Sequence, residues 1–83
     1  MAGPVKRSVM IAGHSTSVSL EPVFWAALEA AATELALPIN ALIARIDADR
    51  SGLPDPPNLA SALRTWLFVR VQEKVGITNG PNA

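Results

Sequence analysis

Hydrophobic and polar positions change period along this chain, and each change predicts an element. From Lys6 to Leu20 they alternate. Val9 and Ile11 alternate with Ser8 and Met10; after Gly13-His14, Thr16, Val18 and Leu20 alternate with Ser15, Ser17 and Ser19. A period of two among β-branched residues predicts strand with one face on a core. Gly13 is either a turn between two short strands or a bulge in one longer ribbon. From Pro22 the period lengthens. Phe24, Leu28, Ala31 and Leu35 recur at helical spacing, and Trp25 and Ala32 widen the stripe. Pro22 suits the first turn of a helix, where its missing N–H costs nothing. Pro38 interrupts the pattern, so the first helix is expected to end near Ala36.

A second amphipathic helix follows on Ile39, Leu42, Ile43 and Ile46, with Arg45, Asp47 and Asp49 on its opposite face, and ends by Ser51-Gly52. The stretch "LPDPPN" (Leu53 to Asn58) is an extended connector, because each proline disfavours helix in the residue before it. Asn58 is a good N-cap for a third helix reaching about Val75, with Leu59, Leu63, Trp66 and Leu67 as its apolar face. Arg70 falls in the sector of Leu59 and Trp66. Its stem is expected to pack while its guanidinium reaches solvent or an acid. Residues 6–75 thus form one domain between flexible tails at 1–5 and 76–83.

Composition adds an assembly argument. Of 83 residues, 49% are hydrophobic, much apolar surface for so small a chain, and self-association is the usual remedy. The chain has no cysteine, so neither a disulfide nor a thiolate metal site can staple it. No segment approaches the ~18–20 continuous apolar residues of a membrane span, and Arg7 to Ala12 is too short for a signal-peptide core. A soluble, cytoplasmic protein is expected, with no membrane partner. Net charge is zero, which argues against an indiscriminate polyanion binder. The charge is unevenly placed, however: residues 1–20 carry Lys6, Arg7 and His14 and no acid, while all 7 carboxylates lie from Glu21 onward.

Candidate chemistry is sparse. His14 is the single histidine and has no H-x-x-H spacing for a metal. No G-x-S-x-G elbow supports a nucleophile, and the isolated glycines make no phosphate-cradling loop. Glu29 and Glu34 read as a solvated helix face, and Asp47, Asp49 and Asp55 lack calcium-loop spacing. Phe24, Trp25 and Trp66 read as core anchors. No catalytic residue, metal or cofactor is expected, and the chain does not read as an enzyme.

What remains is the order of elements: a ribbon with a hydroxyl-lined face, then helix, break, helix. An unpaired strand cannot stand alone. Pairing it with the same strand of a second chain would place Thr16, Val18 and Leu20 over the helices and the serines on the outside. This order, with "KRSVMIAGH", "TSVSLEPVFWAAL", "INALIARID" and "NLASALRTWL", resembles the ribbon-helix-helix DNA-binding proteins over about Lys6 to Leu67. The "SLEPVFW" junction is similar to that of one bacterial branch of that family.

The resemblance implies a mainly α protein with a short N-terminal β-ribbon, a ribbon-helix-helix unit plus a third C-terminal helix, as an intertwined homodimer. Its dimer core would be Thr16, Val18, Leu20, Phe24, Trp25, Leu28, Leu42, Ile43 and Ile46. It implies a transcriptional regulator that reads double-stranded DNA through a β-ribbon in the major groove. By position, Ser15, Ser17 and Ser19 would face base edges. The backbone N–H groups of Ile39, Asn40 and Ala41 would meet a phosphate, and Lys6, Arg7 and His14 would supply the electrostatics. Three hydroxyls stand where such readers usually carry arginine, lysine, asparagine or glutamine. The rival reading is a dimeric adaptor or antitoxin-like module that binds a protein partner and DNA weakly or not at all.

Overall fold

The structure is a computed structural model and describes residues 3–76. The tail expected over 76–83 lies, apart from Gly76, outside the described residues, as do residues 1–2. Two strands, β1 (Val5–Ile11) and β2 (His14–Leu20), are followed by three helices, α1 (Pro22–Glu34), α2 (Ile39–Ser51) and α3 (Leu59–Lys74).

The alternating segment is a hairpin. Ala12 (φ 50°) and Gly13 (φ 82°) both lie in the left-handed region, the backbone that a two-residue turn needs to match the twist of its strands. The strands pair antiparallel in the register Val5–Leu20, Arg7–Val18, Val9–Thr16 and Ile11–His14 on one face, and Lys6–Ser19, Ser8–Ser17 and Met10–Ser15 on the other. Of the two alternatives at Gly13 the turn is the one formed, and β1 and β2 pair with each other within one chain.

Each helix boundary has a local cause. Glu21 caps α1 with its carbonyl, which accepts from the N–H groups of Phe24 (2.9 Å) and Trp25 (3.2 Å), and Pro22 follows it at the first turn. At the other end, Ala36 N–H donates to Thr33 O (3.1 Å) and Leu37 N–H to Ala32 O (2.9 Å), with Ala36 at φ 58°. This pair of bonds closes a helix through a left-handed residue, a place that glycine usually fills. Pro38 then forces extended backbone before α2, and the chain bends by 99° between α1 and α2. The Asn58 side chain accepts from Ser61 N–H at 2.8 Å and starts α3 as its sequence predicts. No single described helix is long and apolar enough to cross a membrane.

One core joins all five elements. Val9, Val18 and Leu20 enter it from the hairpin, and Trp25, Leu28, Ala31 and Ala32 from α1. Leu42, Ile43 and Ile46 come from α2, and Leu63 and Leu67 from α3. β1 lies on α2 and β2 on α3. Seven of the residues expected at a dimer core (Val18, Leu20, Trp25, Leu28, Leu42, Ile43 and Ile46) are thus already buried within one chain, while Thr16 and Phe24 are half-buried. Trp66 is half-buried as well.

Candidate nucleic-acid interface

The outward face of the hairpin carries Lys6, Ser8 and Met10 from β1 and Ser15, Ser17 and Ser19 from β2, all exposed. Their cross-strand pairing sets the pattern: lysine beside Ser19 at the open end, Ser8 beside Ser17 in the middle, and Met10 beside Ser15 near the turn. Among the described residues none of these six side chains makes a hydrogen bond or ion pair within the chain. Because a two-residue turn makes Ile11 and His14 the closing bonded pair, bonded and non-bonded pairs alternate from there. The backbone N–H and C=O groups of Ser15, Ser17 and Ser19 therefore point to the open edge of β2.

Ser8 and Met10 were absent from the residues singled out in the sequence. Their signal was the same alternation, but it places them on this face only once Gly13 is a turn and the two strands share a register.

The basic residues separate. Lys6 shares the serine face. Arg7 has the opposite parity and reaches toward α1, where its Nη1 donates to Glu29 Oε2 at 3.0 Å and its guanidinium lies 4.6 Å from the centroid of the Trp25 ring. The indole Nε1 donates to Val5 O at 2.9 Å, so Trp25 holds the start of β1 from below. His14 belongs by register to the same side as Thr16 and Val18 but sits at the hairpin tip, exposed. Of the three residues expected to supply charge, one lies on the outward face.

The start of α2 is a second group of donors. Pro38 offers no side-chain cap. Among the described residues the N–H groups of Ile39 and Asn40 have no backbone acceptor, whereas that of Ala41 is bonded to Pro38 O at 3.0 Å. No bond ties this helix start to the ribbon face among the described residues.

The remaining charges brace the scaffold. Arg64 on α3 donates through Nε (3.1 Å) and Nη2 (3.0 Å) to Glu21 Oε1, and its guanidinium lies 5.7 Å from the Phe24 ring centroid. This ties α3 to the strand-to-helix junction. The Glu21 carboxyl sits below the usual carboxylate range, held there first by its own backbone N–H and then by Arg64. Glu34 takes Lys74 Nζ at 2.6 and 2.8 Å and Arg70 Nη2 at 2.6 Å. Lys74 first and Arg70 second lower its pKa. The expectation that Glu29 and Glu34 are merely solvated is thus corrected: both carboxylates bridge elements, α1 to β1 and α1 to α3. Arg70 does reach an acid, and its guanidinium lies 5.5 Å from the centroid of the Trp66 ring. No cluster of metal-ligating side chains occurs among the described residues.

A family model described as a ribbon-helix-helix domain matches residues 4–71, from the start of β1 into the last turns of α3. The chain belongs to the ribbon-helix-helix family. Curated proteins and solved structures include no significant match to it. Ribbon-helix-helix domains generally bind DNA as dimers in transcription regulators. In this member the ribbon is an intramolecular hairpin, and α3 is part of the same core.

Proposed function

We propose that this ribbon-helix-helix protein is a sequence-specific DNA-binding transcriptional regulator that acts as a homodimer and reads the major groove with its β-ribbon. The observation that carries this reading is the outward ribbon face: six exposed side chains, five of them polar, with none engaged inside the chain. A two-stranded ribbon with its strands ~4.8 Å apart fits a groove ~12 Å wide. Lys6 neutralises a phosphate at the open end of the ribbon. Ser8, Ser15, Ser17 and Ser19 can donate to or accept from base edges, and Met10 offers an apolar contact of the kind a thymine methyl takes. The free N–H groups of Ile39 and Asn40 suit a phosphate at a helix start. Arg7 contributes little here, because leaving Glu29 and Trp25 would cost it both partners. Hydroxyls discriminate bases modestly, so the site is expected to be palindromic and its affinity salt-sensitive but moderate.

The test is fluorescence anisotropy on a selected and a scrambled duplex across a salt series. Lys6→Ala should weaken binding to both duplexes and reduce the salt slope by roughly one unit for each phosphate that the lysine neutralises in the wild type. Ser17→Ala should leave the slope unchanged and relax preference at one base position. Arg7→Ala should leave the slope nearly unaltered. Equal, weak binding of both duplexes by wild type and Lys6→Ala, with equal slopes, would refute DNA recognition. The adaptor reading would then take over; it is favoured by the zero net charge and by the single unpaired cation on the ribbon face.

A further inference from the structure

A hollow of about 310 Å³ lies where the end of α2, the connector Leu53 to Asn58 and the first half of α3 meet. Its wall is apolar, made by Ile46 from α2, Leu53 and Pro57 from the connector, and Ala62 and Trp66 from α3. Leu53 is 51% exposed and Trp66 is half-buried, so the core does not use up either side chain. A dry cavity of roughly 150 Å³ takes a benzene ring, and ligand clefts begin at about 300 Å³. This hollow has room for a ring with a short arm or for two fused rings.

The hollow is held open from within the chain. Arg50 donates through Nη1 to Pro57 O at 3.1 Å and through Nε to Asp47 Oδ1 at 3.0 Å, which pins the connector to α2. Asn58 fixes the other end by capping α3, and the prolines at 54, 56 and 57 leave the segment few other conformations. The shape therefore exists before any ligand arrives. Its polar lining is Asp49, Arg50 and Thr65. Asp47 meets the charge of Arg50. Asp49 makes no hydrogen bond or ion pair among the described residues, and Arg45, one turn earlier on α2, makes no bond to it. The C-terminal end of α2 adds partial negative charge at the same place. Arg70, near the Trp66 ring, stands outside the lining and is bonded to Glu34.

We propose that this hollow binds a small organic cation, an apolar body of about one or two rings that carries a single ammonium group. The body covers Leu53, Pro57 and Trp66, and the ammonium meets the carboxylate of Asp49, the one lining charge without a partner. An indole in the wall suits the same ligand, because cations are drawn to aromatic rings. A carboxylate of the same shape would meet Asp49 with no free cation in the lining, and a neutral body gains only the apolar contact. The hollow shares no residue with the ribbon face, and the proposal does not rest on the DNA-binding reading.

The experiment records assigned proton–nitrogen correlation spectra of the full chain at neutral pH and low salt, titrated with three probes of similar shape. These are phenethylamine, which is protonated there, neutral phenethyl alcohol and anionic hydrocinnamate. The amine should move the Trp66 indole N–H and the amides of Leu53 and Ala62 and leave the Trp25 indole in place. It should saturate with a dissociation constant on the order of a millimolar, as suits a ligand of about nine heavy atoms. The alcohol should bind about three- to fivefold more weakly, the scale of one exposed ion pair, and the carboxylate more weakly still. Asp49→Asn should bring the amine down to the level of the alcohol and leave the alcohol unchanged. Thr65→Phe, at an exposed lining position, should fill the hollow and weaken amine and alcohol alike by roughly tenfold, with the circular dichroism of wild type. Should that variant misfold, Leu53→Ser removes part of the wall and should weaken both probes in the same way. No saturable shift at Trp66, equal binding of the three probes or tighter binding of the carboxylate overturns the proposal. So does an amine preference that survives Asp49→Asn, or undiminished binding in the wall variants.

Discussion

Trp25 is the residue on which hairpin and helices depend together, and replacing it tests the fold at its centre. The side chain is 2% exposed, donates to Val5 O at 2.9 Å and lies 4.6 Å beneath the Arg7 guanidinium. Truncation to alanine removes the ring and leaves a cavity, a change that costs about 3–5 kcal/mol at buried aromatic positions. Trp25→Phe separates the contributions. It keeps most of the ring and loses the N–H. Val5 is partly exposed, so water can replace the missing donor, and the cost there is the ordinary ~0.5–1.5 kcal/mol of a hydrogen bond. A weaker cation–π contact adds about 0.5 kcal/mol at such a partly exposed site.

The expected order is wild type, then Trp25→Phe about 1–2 kcal/mol lower, then Trp25→Ala. A domain of this size has a total stability of roughly 4–12 kcal/mol, so the alanine variant should lose from about a quarter of it to all of it. The assay is urea unfolding followed by far-ultraviolet circular dichroism at one fixed protein concentration, which keeps the midpoints comparable whatever the state of association. An alanine variant within about 1 kcal/mol of wild type would refute the argument that the Trp25 ring holds β1 onto α1. A phenylalanine variant as damaged as the alanine one would mean that the indole N–H, and not ring burial, carries the effect.

The backbone and the charges give two further outcomes. Ala36→Gly should raise stability by about 1 kcal/mol in the same urea assay, since Ala36 holds φ 58° in the closing turn of α1 and alanine is strained there; a lowered midpoint would contradict this backbone assignment. Acid should destabilise the fold. Glu21 and Glu34 have lowered folded pKa values, so their contribution is fully present above the ordinary carboxylate pKa of about 4.3 and is lost as pH falls through the lowered values. Thermal melts taken downward from about pH 6 should show the midpoint falling below about pH 4, and less steeply in Glu34→Gln; a flat profile would show that these ion pairs do not stabilise the fold.

Local interactions make much of this protein legible in its sequence alone. Alternation at Lys6 to Leu20, the helical spacing from Phe24, the prolines at 22 and 38 and the Asn58 cap act over a few residues. They set the strands, the three helices and their ends to within about two positions. The serine row is legible for the same reason, because side-chain parity along one strand needs no partner. Tertiary structure decides what depends on distant pairing. Ala12-Gly13 carries no strong turn signal, since alanine is a poor left-handed residue, and only the paired strands make it a hairpin and bring Ser8 and Met10 onto the outward face. Arg7 suits a phosphate by its place in the chain, but the packed hairpin turns it to Trp25 and Glu29 of α1. The bonds of Arg7 to Glu29, Arg70 to Glu34, Lys74 to Glu34 and Arg64 to Glu21 span 22, 36, 40 and 43 residues, beyond the reach of any periodic pattern. Which apolar side of α3 turns to the core is a decision of the same kind. Leu63 and Leu67 take the core side, where α3 packs against β2, α1 and α2, and Phe68 and Val71 are left facing outward.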